Sequence, residues 1–151
     1  MPILLIPLTY FVMNGVASIL SMPSGRLGDR LGHRTLLLGG FLLLALTYVG
    51  FALVQAASWI WPLMAAYGVF IALVDGNQKV FATALLPQTA RGTGLGTFNA
   101  LLGFAELVAS IGGGLLWASA GPQVPFLVGA MVAAVAFVML LIVTDTPSAP
   151  T

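Results

Sequence analysis

Nine charged side chains and one histidine carry whatever chemistry this 151-residue sequence holds. Three of their groupings could do something specific. Glu106 stands alone near the middle of the otherwise charge-free stretch 93–118. An ionised carboxylate inside a bilayer costs about 2.5–3.5 kcal/mol on insertion scales. Glu106 must therefore face water, find a cation or keep its proton. A membrane carboxyl poised to titrate is what proton coupling requires, and a protonated one can instead bind a neighbouring helix as glue. Asp75 and Lys79 stand at i and i+4 with the acid first, the better orientation for a helical pair. They either neutralise each other or meet a substrate or gate, and Lys79 can snorkel outward. Asn77 and Gln78 beside them add polarity but fix no chemistry.

The third grouping is the run Gly25-Arg26-Leu27-Gly28-Asp29-Arg30-Leu31-Gly32-His33-Arg34. Gly25, Gly28 and Gly32 would permit a tight turn between two antiparallel helices. Asp29 lies between Arg26 and Arg30 and is suited to cap a nearby helix N-terminus, whose dipole favours an anion. Arg34 would sit at the mouth of the next helix, where an anionic inner leaflet attracts cations. On its own physics this run is a topology determinant and a charged clasp.

The elements that hold these residues follow from composition. Hydrophobic residues make up 60% of the chain and charged ones 6%, against about 25% charged in soluble domains. Five basic and four acidic residues cannot furnish a water-facing surface. A bilayer crossing needs about 20 mostly apolar residues, and the apolar stretches fit five of them. The expected architecture is all-α: a polytopic membrane bundle of five transmembrane helices near 3–22, 35–54, 59–86, 93–118 and 124–144. Short Pro-, Gly- and Ser-containing connections make it one domain over 1–144, followed by a polar, Pro-rich tail, 145–151, expected to be disordered. The start, Met1-Pro2-Ile3-Leu4, lacks the charged region of a cleaved signal and reads as the first span.

Loop charge orients the bundle. Arg26, Arg30 and Arg34 fall in the first connection, and Arg91, with Lys79 just before it, falls in the third. The second and fourth connections carry no charge. The positive-inside rule puts the first and third in the cytoplasm, the N-terminus outside and the C-terminus inside. A chain that starts outside with nothing ahead of its first span is expected to be the later part of something longer.

Polar residues are shared unevenly. Inside its ends the second span offers only Thr47 and Tyr48, and the fifth, from Val124 to Val143, no polar side chain. Those two are expected on the outside of the bundle. At about 100° per residue, Gly92, Gly96, Asn99, Gly103, Glu106, Ser110, Gly113 and Trp117 share one side of the fourth span. Trp61, Ala65, Gly68, Ala72, Asp75, Lys79 and Ala82 do so on the third, and Pro7, Tyr10, Asn14, Ser18 and Ser21 on the first. Gly92, Gly96, Gly103 and Gly113 are expected to allow close helix packing, and Tyr10, Asn14, Asp75, Lys79, Asn99 and Glu106 to line a cavity or serve coupling. Tight packing with a few interhelical hydrogen bonds is the plainer use of the same stripes.

Several functions are excluded or disfavoured. A net charge of +1 does not suit nucleic acid. With no cysteine there is no disulfide and no thiolate site, and one histidine with four carboxylates leaves few metal ligands. No cofactor and no metal are expected. An intramembrane protease would need a Ser–His dyad or paired acids on facing helices. Here the histidine falls in a connection, and Glu106 has no acid at motif spacing.

The run Gly25–Arg34 resembles the signature loop of the major facilitator superfamily, matching at Gly25, Leu27, Gly28, Asp29, Arg30, Gly32 and Arg34. His33 departs, standing where arginine or lysine is usual. In that family the signature lies between the second and third of twelve helices, with a looser copy between the eighth and ninth. The segment Asp75–Lys79 resembles the end of the tenth helix in one bacterial branch, and Arg91–Gly96 the entry to the eleventh. The buried arginine and Gly-Pro pair expected of the fourth and fifth helices are missing. The resemblance therefore implies a partial major facilitator fold, helices eight to twelve. It also implies a cytoplasmic gate built on Gly25, Leu27, Asp29, Arg30, Gly32, Arg34 and Arg91, with Asp29 engaging the fourth span near Arg91–Thr93. The implied function is secondary transport of a small organic solute by alternating access, with proton-coupled efflux as the family-level expectation. The implied partners are the lipid bilayer, a small-molecule substrate and the missing N-terminal helices of the same transporter. The implied location is a bacterial inner membrane. A membrane subunit that does not transport, or a half-transporter needing a partner, is the alternative.

Overall fold

The computed structural model describes residues 6–54 and 56–142. They form five helices: α1 (Ile6–Leu31), α2 (His33–Leu53), α3 (Ile60–Ala84), α4 (Arg91–Ala120) and α5 (Gln123–Ile142). Single 3-10 turns at Ala57–Trp59 and Gln88–Ala90 lead into α3 and α4. The segments containing α2, α3, α4 and α5 are long and apolar enough to cross a membrane. α1 has 26 residues, about 39 Å at 1.5 Å per residue, and confines its charges, Arg26, Asp29 and Arg30, to its final turns. The expected tail at 145–151, and the outer ends of the first and fifth spans, lie outside the described residues.

The expected first loop is mostly helix. α1 runs on through Gly25 and Gly28 to Leu31, and the reversal is made at Gly32 alone, at φ 87°. Gly32 N–H donates to the Gly28 carbonyl (2.9 Å), and Thr35 N–H donates to the Gly32 carbonyl (3.1 Å). Only that residue needs a backbone which a Cβ makes costly. The charged residues before it extend the helix because their heads reach past the apolar layer.

The helices pack in the order α1, α3, α2, α5, with α4 resting against α5 and, more lightly, α3; α1 and α4 do not touch. Side chains in this bundle are drawn together by close fit, since lipid is as apolar as they are. Glycines supply that fit. A Cβ on Gly68 would strike the Met13 carbonyl and lie 3.0 Å from Val16 Cβ, which marks the α1–α3 seam. Gly40 lies against Val74 and Gly50 against Leu63 across α2–α3, and Gly129 meets the Tyr48 ring across α2–α5. At the end of the bundle away from Gly32, Tyr48 stacks on Tyr67 (6.1 Å between centroids), and Phe51 and Trp117 pack on Phe126 (5.3 and 6.3 Å).

Two expectations about layout change. α2 does not lie outermost in this bundle: it contacts α1, α3 and α5 and buries Leu36, Leu37, Gly40, Thr47 and Ala52. Its opposite face, with Leu42, Leu46 and Leu53, remains open. The three polar-striped helices do not converge on one inner face, because α1 and α4 do not touch and most residues of their stripes stay exposed.

Candidate functional site

The α1–α3 seam opens, toward the end that carries Gly32, into a polar groove of about 380 Å³. Asn14, Ser18 and Ser21 from α1 line it, with Asp75, Gly76 and Asn77 from α3. Asn14 and Ser21 are partly spent on their own helix: Asn14 Nδ2 donates to the Tyr10 carbonyl and Ser21 Oγ to the Ser18 carbonyl, both at 2.9 Å. Tyr10 is 64% exposed on the same helix. Asp75 brings the groove its carboxylate. Lys79 Nζ stands 3.3 Å from Asp75 Oδ1, with side-chain exposures of 47% and 63%. A pair so open is worth little to stability, and both residues are on α3, so it ties no helices together.

The groove ends at a buried polar cluster. Asn77, 2% exposed, donates from Nδ2 to Ser24 Oγ on α1 (3.0 Å) and to the Leu73 carbonyl (2.8 Å). A carbonyl only accepts, so the amide orientation is fixed and Oδ1 is the atom facing His33 Nδ1, at 2.6 Å. His33 Nδ1 must then carry the proton. Its other nitrogen, Nε2, stands 3.6 Å from Asp29 Oδ1, whose side chain is 74% exposed. The sequence reading gave Asn77 no role, and His33 only as a departure from a motif. The signal available was a helical amide among apolar residues, which needs a partner inside a membrane; the partner lies 44 residues away.

Arg34, adjacent to His33, turns to α5. Its Nε and Nη2 donate to the Leu140 carbonyl (3.2 and 3.0 Å), and Nη2 also to the Leu141 carbonyl (3.1 Å). It thus caps orphan carbonyls at a helix C-terminus, where a cation also meets the negative end of the helix dipole. The start of α2 is thereby fixed to α3 by one residue and to α5 by the next.

The remaining gate residues do not assemble. Arg26 and Arg30 line a shallow cleft on α1 with Met22, Pro23 and Leu27. Gly25 lies within α1 at the edge of the groove, with no neighbour within 4 Å of a Cβ position. Arg91 opens α4, which α1 does not reach, so Asp29 does not meet the α4 N-terminus here.

On α4, Asn99 and Glu106 are exposed, and none of its residues is buried. Gly92, Gly96, Gly103 and Gly113, expected as packing points, have no neighbour within 4 Å of a Cβ position. From Gly92 to Ser110 the stripe that carries them is exposed, whereas at its far end Gly113 lines a cavity shared with α5 and Trp117 packs on Phe126. A larger cavity, about 530 Å³, lies where α2, α4 and α5 meet, lined by Phe41, Tyr48, Leu116, Phe126 and Val132 among others; no charged side chain reaches it. Among the described residues no three His, Cys, Asp or Glu side chains group as metal ligands.

Comparison with known proteins places this geometry in context. The family described as Major Facilitator Superfamily matches residues 4–151. An uncharacterised MFS-type transporter of Methanocaldococcus jannaschii is 30% identical over 141 residues, covering 93% of this chain and 35% of the relative. The vesicular acetylcholine transporter of Torpedo marmorata is 30% identical over 141 residues, covering 92% and 27%. An uncharacterised MFS-type transporter of Mycobacterium tuberculosis is 28% identical over 116 residues, covering 77% and 20%. The chain thus spans about a third or less of the length of the curated relatives it matches. No solved structure matches it significantly.

Proposed function

This chain belongs to the major facilitator superfamily, and from that premise we propose that it is part of a secondary transporter moving a small organic solute by alternating access. The observation that carries the reading is the groove between α1 and α3: it gathers hydroxyls, amides and the Asp75 carboxylate in a bundle whose exposed surface is largely apolar. A water-filled polar groove along membrane helices is where a solute can shed its hydration and regain hydrogen bonds. The vesicular acetylcholine transporters among the relatives are named for an organic cation, and Asp75 is the group such a solute would meet.

The open stripes of α1 and α4 support the rest of the reading. Their covering surface, and the opposite wall of the solute path, would come from further helices in the length of the relatives that this chain does not span. Asp29 is the proposed gate anion: it is exposed, α4 is out of its reach, and a helix N-terminus of that missing part is its fitting partner. Glu106 is the proposed coupling acid, with protons moving against the solute in efflux. The bundle would lie in a bacterial inner membrane with the Gly32 end in the cytoplasm, following the arginines. The reading is of a transporter rather than an enzyme. A non-transporting subunit would need the same lipid-facing surface but would have no use for Asp75 in an open groove.

The test is solute flux in vesicles containing the full-length protein, with a panel of organic cations and neutral solutes. Asp75→Asn should lower flux of cations at least about tenfold, as expected when a charged partner worth over 1.4 kcal/mol is removed. Unchanged cation flux in Asp75→Asn would remove the groove from the solute path.

A further inference from the structure

The buried amide of Asn77 stands at a junction that neither the turn nor the groove explains alone. It faces the groove's end on one side and holds His33, the first residue of α2, on the other. Its three hydrogen bonds join α1 through Ser24, α2 through His33 and its own helix through Leu73. Gly28 is the residue that makes room for this: a Cβ there would strike Asn77 Oδ1 and lie 2.6 Å from His33 Nδ1. The cluster is buried at its centre, with Asn77 and Ser24 at 2% and 5% exposure. Low local dielectric makes such a network rigid when complete and costly when broken.

We propose that Asn77 is a positioning residue that makes the α1–α2 turn and the Asp75 end of the groove move as one body. Motion of the turn, where Asp29 is exposed, is transmitted through His33 to Asn77, and from Asn77 to Asp75 half a turn earlier on α3. The link is a single side-chain hydrogen bond with both partners fixed, not a diffuse packing effect. It requires a donor at the Nδ1 position of residue 33, which asparagine reproduces and glutamine does not. This inference rests on the reading that the groove is the solute path.

The test is maleimide labelling at Ser21→Cys, a groove position, in full-length protein carrying no other cysteine. His33→Gln and Asn77→Leu should each change the labelling rate by about twofold or more, and the double variant no further than Asn77→Leu alone, since that variant already removes the bond that His33→Gln breaks. His33→Asn should restore the parent rate. Asn77→Ser, which fits the same space, replaces Asn77→Leu if the latter does not fold. Thr47→Ala, which loosens a buried part of α2 away from the groove, should leave the rate unchanged. Independent effects in the double variant, a His33→Asn rate like that of His33→Gln, or an equal response to Thr47→Ala would each overturn the proposal. Labelling requires no solute, so its outcome is independent of whether Asp75→Asn alters flux.

Discussion

The imidazole of His33 lies over the Cα of Gly28: a Cβ at position 28 would stand 2.6 Å from Nδ1 and 2.9 Å from Cε1. The space that glycine leaves is filled by the hydrogen bond from His33 to Asn77. Gly28→Ala should therefore displace the ring, break that bond and leave a buried amide oxygen unpaired. The expected loss is about 1–3 kcal/mol, read as a lower unfolding temperature in detergent. Gly25→Ala, three residues earlier with open space around it, should be neutral or slightly stabilising in the same assay.

Arg34 holds the end of α5 through the Leu140 and Leu141 carbonyls. Arg34→Ala should cost about 1.5–3 kcal/mol, the range for hydrogen bonds to a charged group, and should fray the last turn of α5. Arg34→Lys should recover only part, because an ammonium cannot reproduce the planar fork. Amide hydrogen exchange at 138–142 reads the effect directly; protection equal to the parent in Arg34→Ala would show that the cap is dispensable.

Gly32 is the hinge of the first turn, at φ 87°. Gly32→Ala must hold that backbone with a Cβ in place, at a cost of about 1–2 kcal/mol. Thermal unfolding in detergent should fall accordingly, with no change at Gly39→Ala, which has open space and helical backbone.

Glycines of α3 and α4 should answer differently. Gly68→Ala puts a methyl against the Met13 carbonyl and should loosen the α1–α3 seam, lowering stability by about 1–3 kcal/mol, the usual cost of overpacking. Gly103→Ala meets nothing among the described residues. In the isolated chain it should be neutral or mildly stabilising by helix propensity, up to about 1 kcal/mol. A loss confined to the full-length protein would mark Gly103 as a contact for helices outside this chain.

Glu106 has no hydrogen-bond or ion-pair partner among the described residues and sits about 22 Å along α4 from Arg91 at 1.5 Å per residue. Glu106→Gln keeps a hydrogen-bonding side chain but cannot give up a proton. If the acid couples transport, flux in vesicles should stop responding to an imposed proton gradient while protein yield stays level. If it is glue, the gradient response should survive. Asp29→Asn, by contrast, should impair flux more than folding, because the Asp29 side chain is exposed and its contact with His33 is long.

Much of this protein is determined by its sequence alone. Sixty per cent apolar residues with arginines gathered in two connections admit little besides a helical membrane bundle, since each segment can satisfy its own backbone only as a helix. The Gly25–Arg34 run carries its family resemblance in residue types and spacing, which need no coordinates. Helix pairing is not written that way. A polar stripe says that a side of a helix avoids lipid, but not which helix covers it; the stripes of α1 and α4 stay largely exposed here, and α2, poor in polar side chains, lies among three neighbours. Asn77 shows the same limit at a single residue. Its bonds to Ser24 and His33 span 53 and 44 residues, and Arg34 finds its partners more than a hundred residues on. Local spacing registers a polar group in need of a partner, and only the packed bundle decides which one it meets.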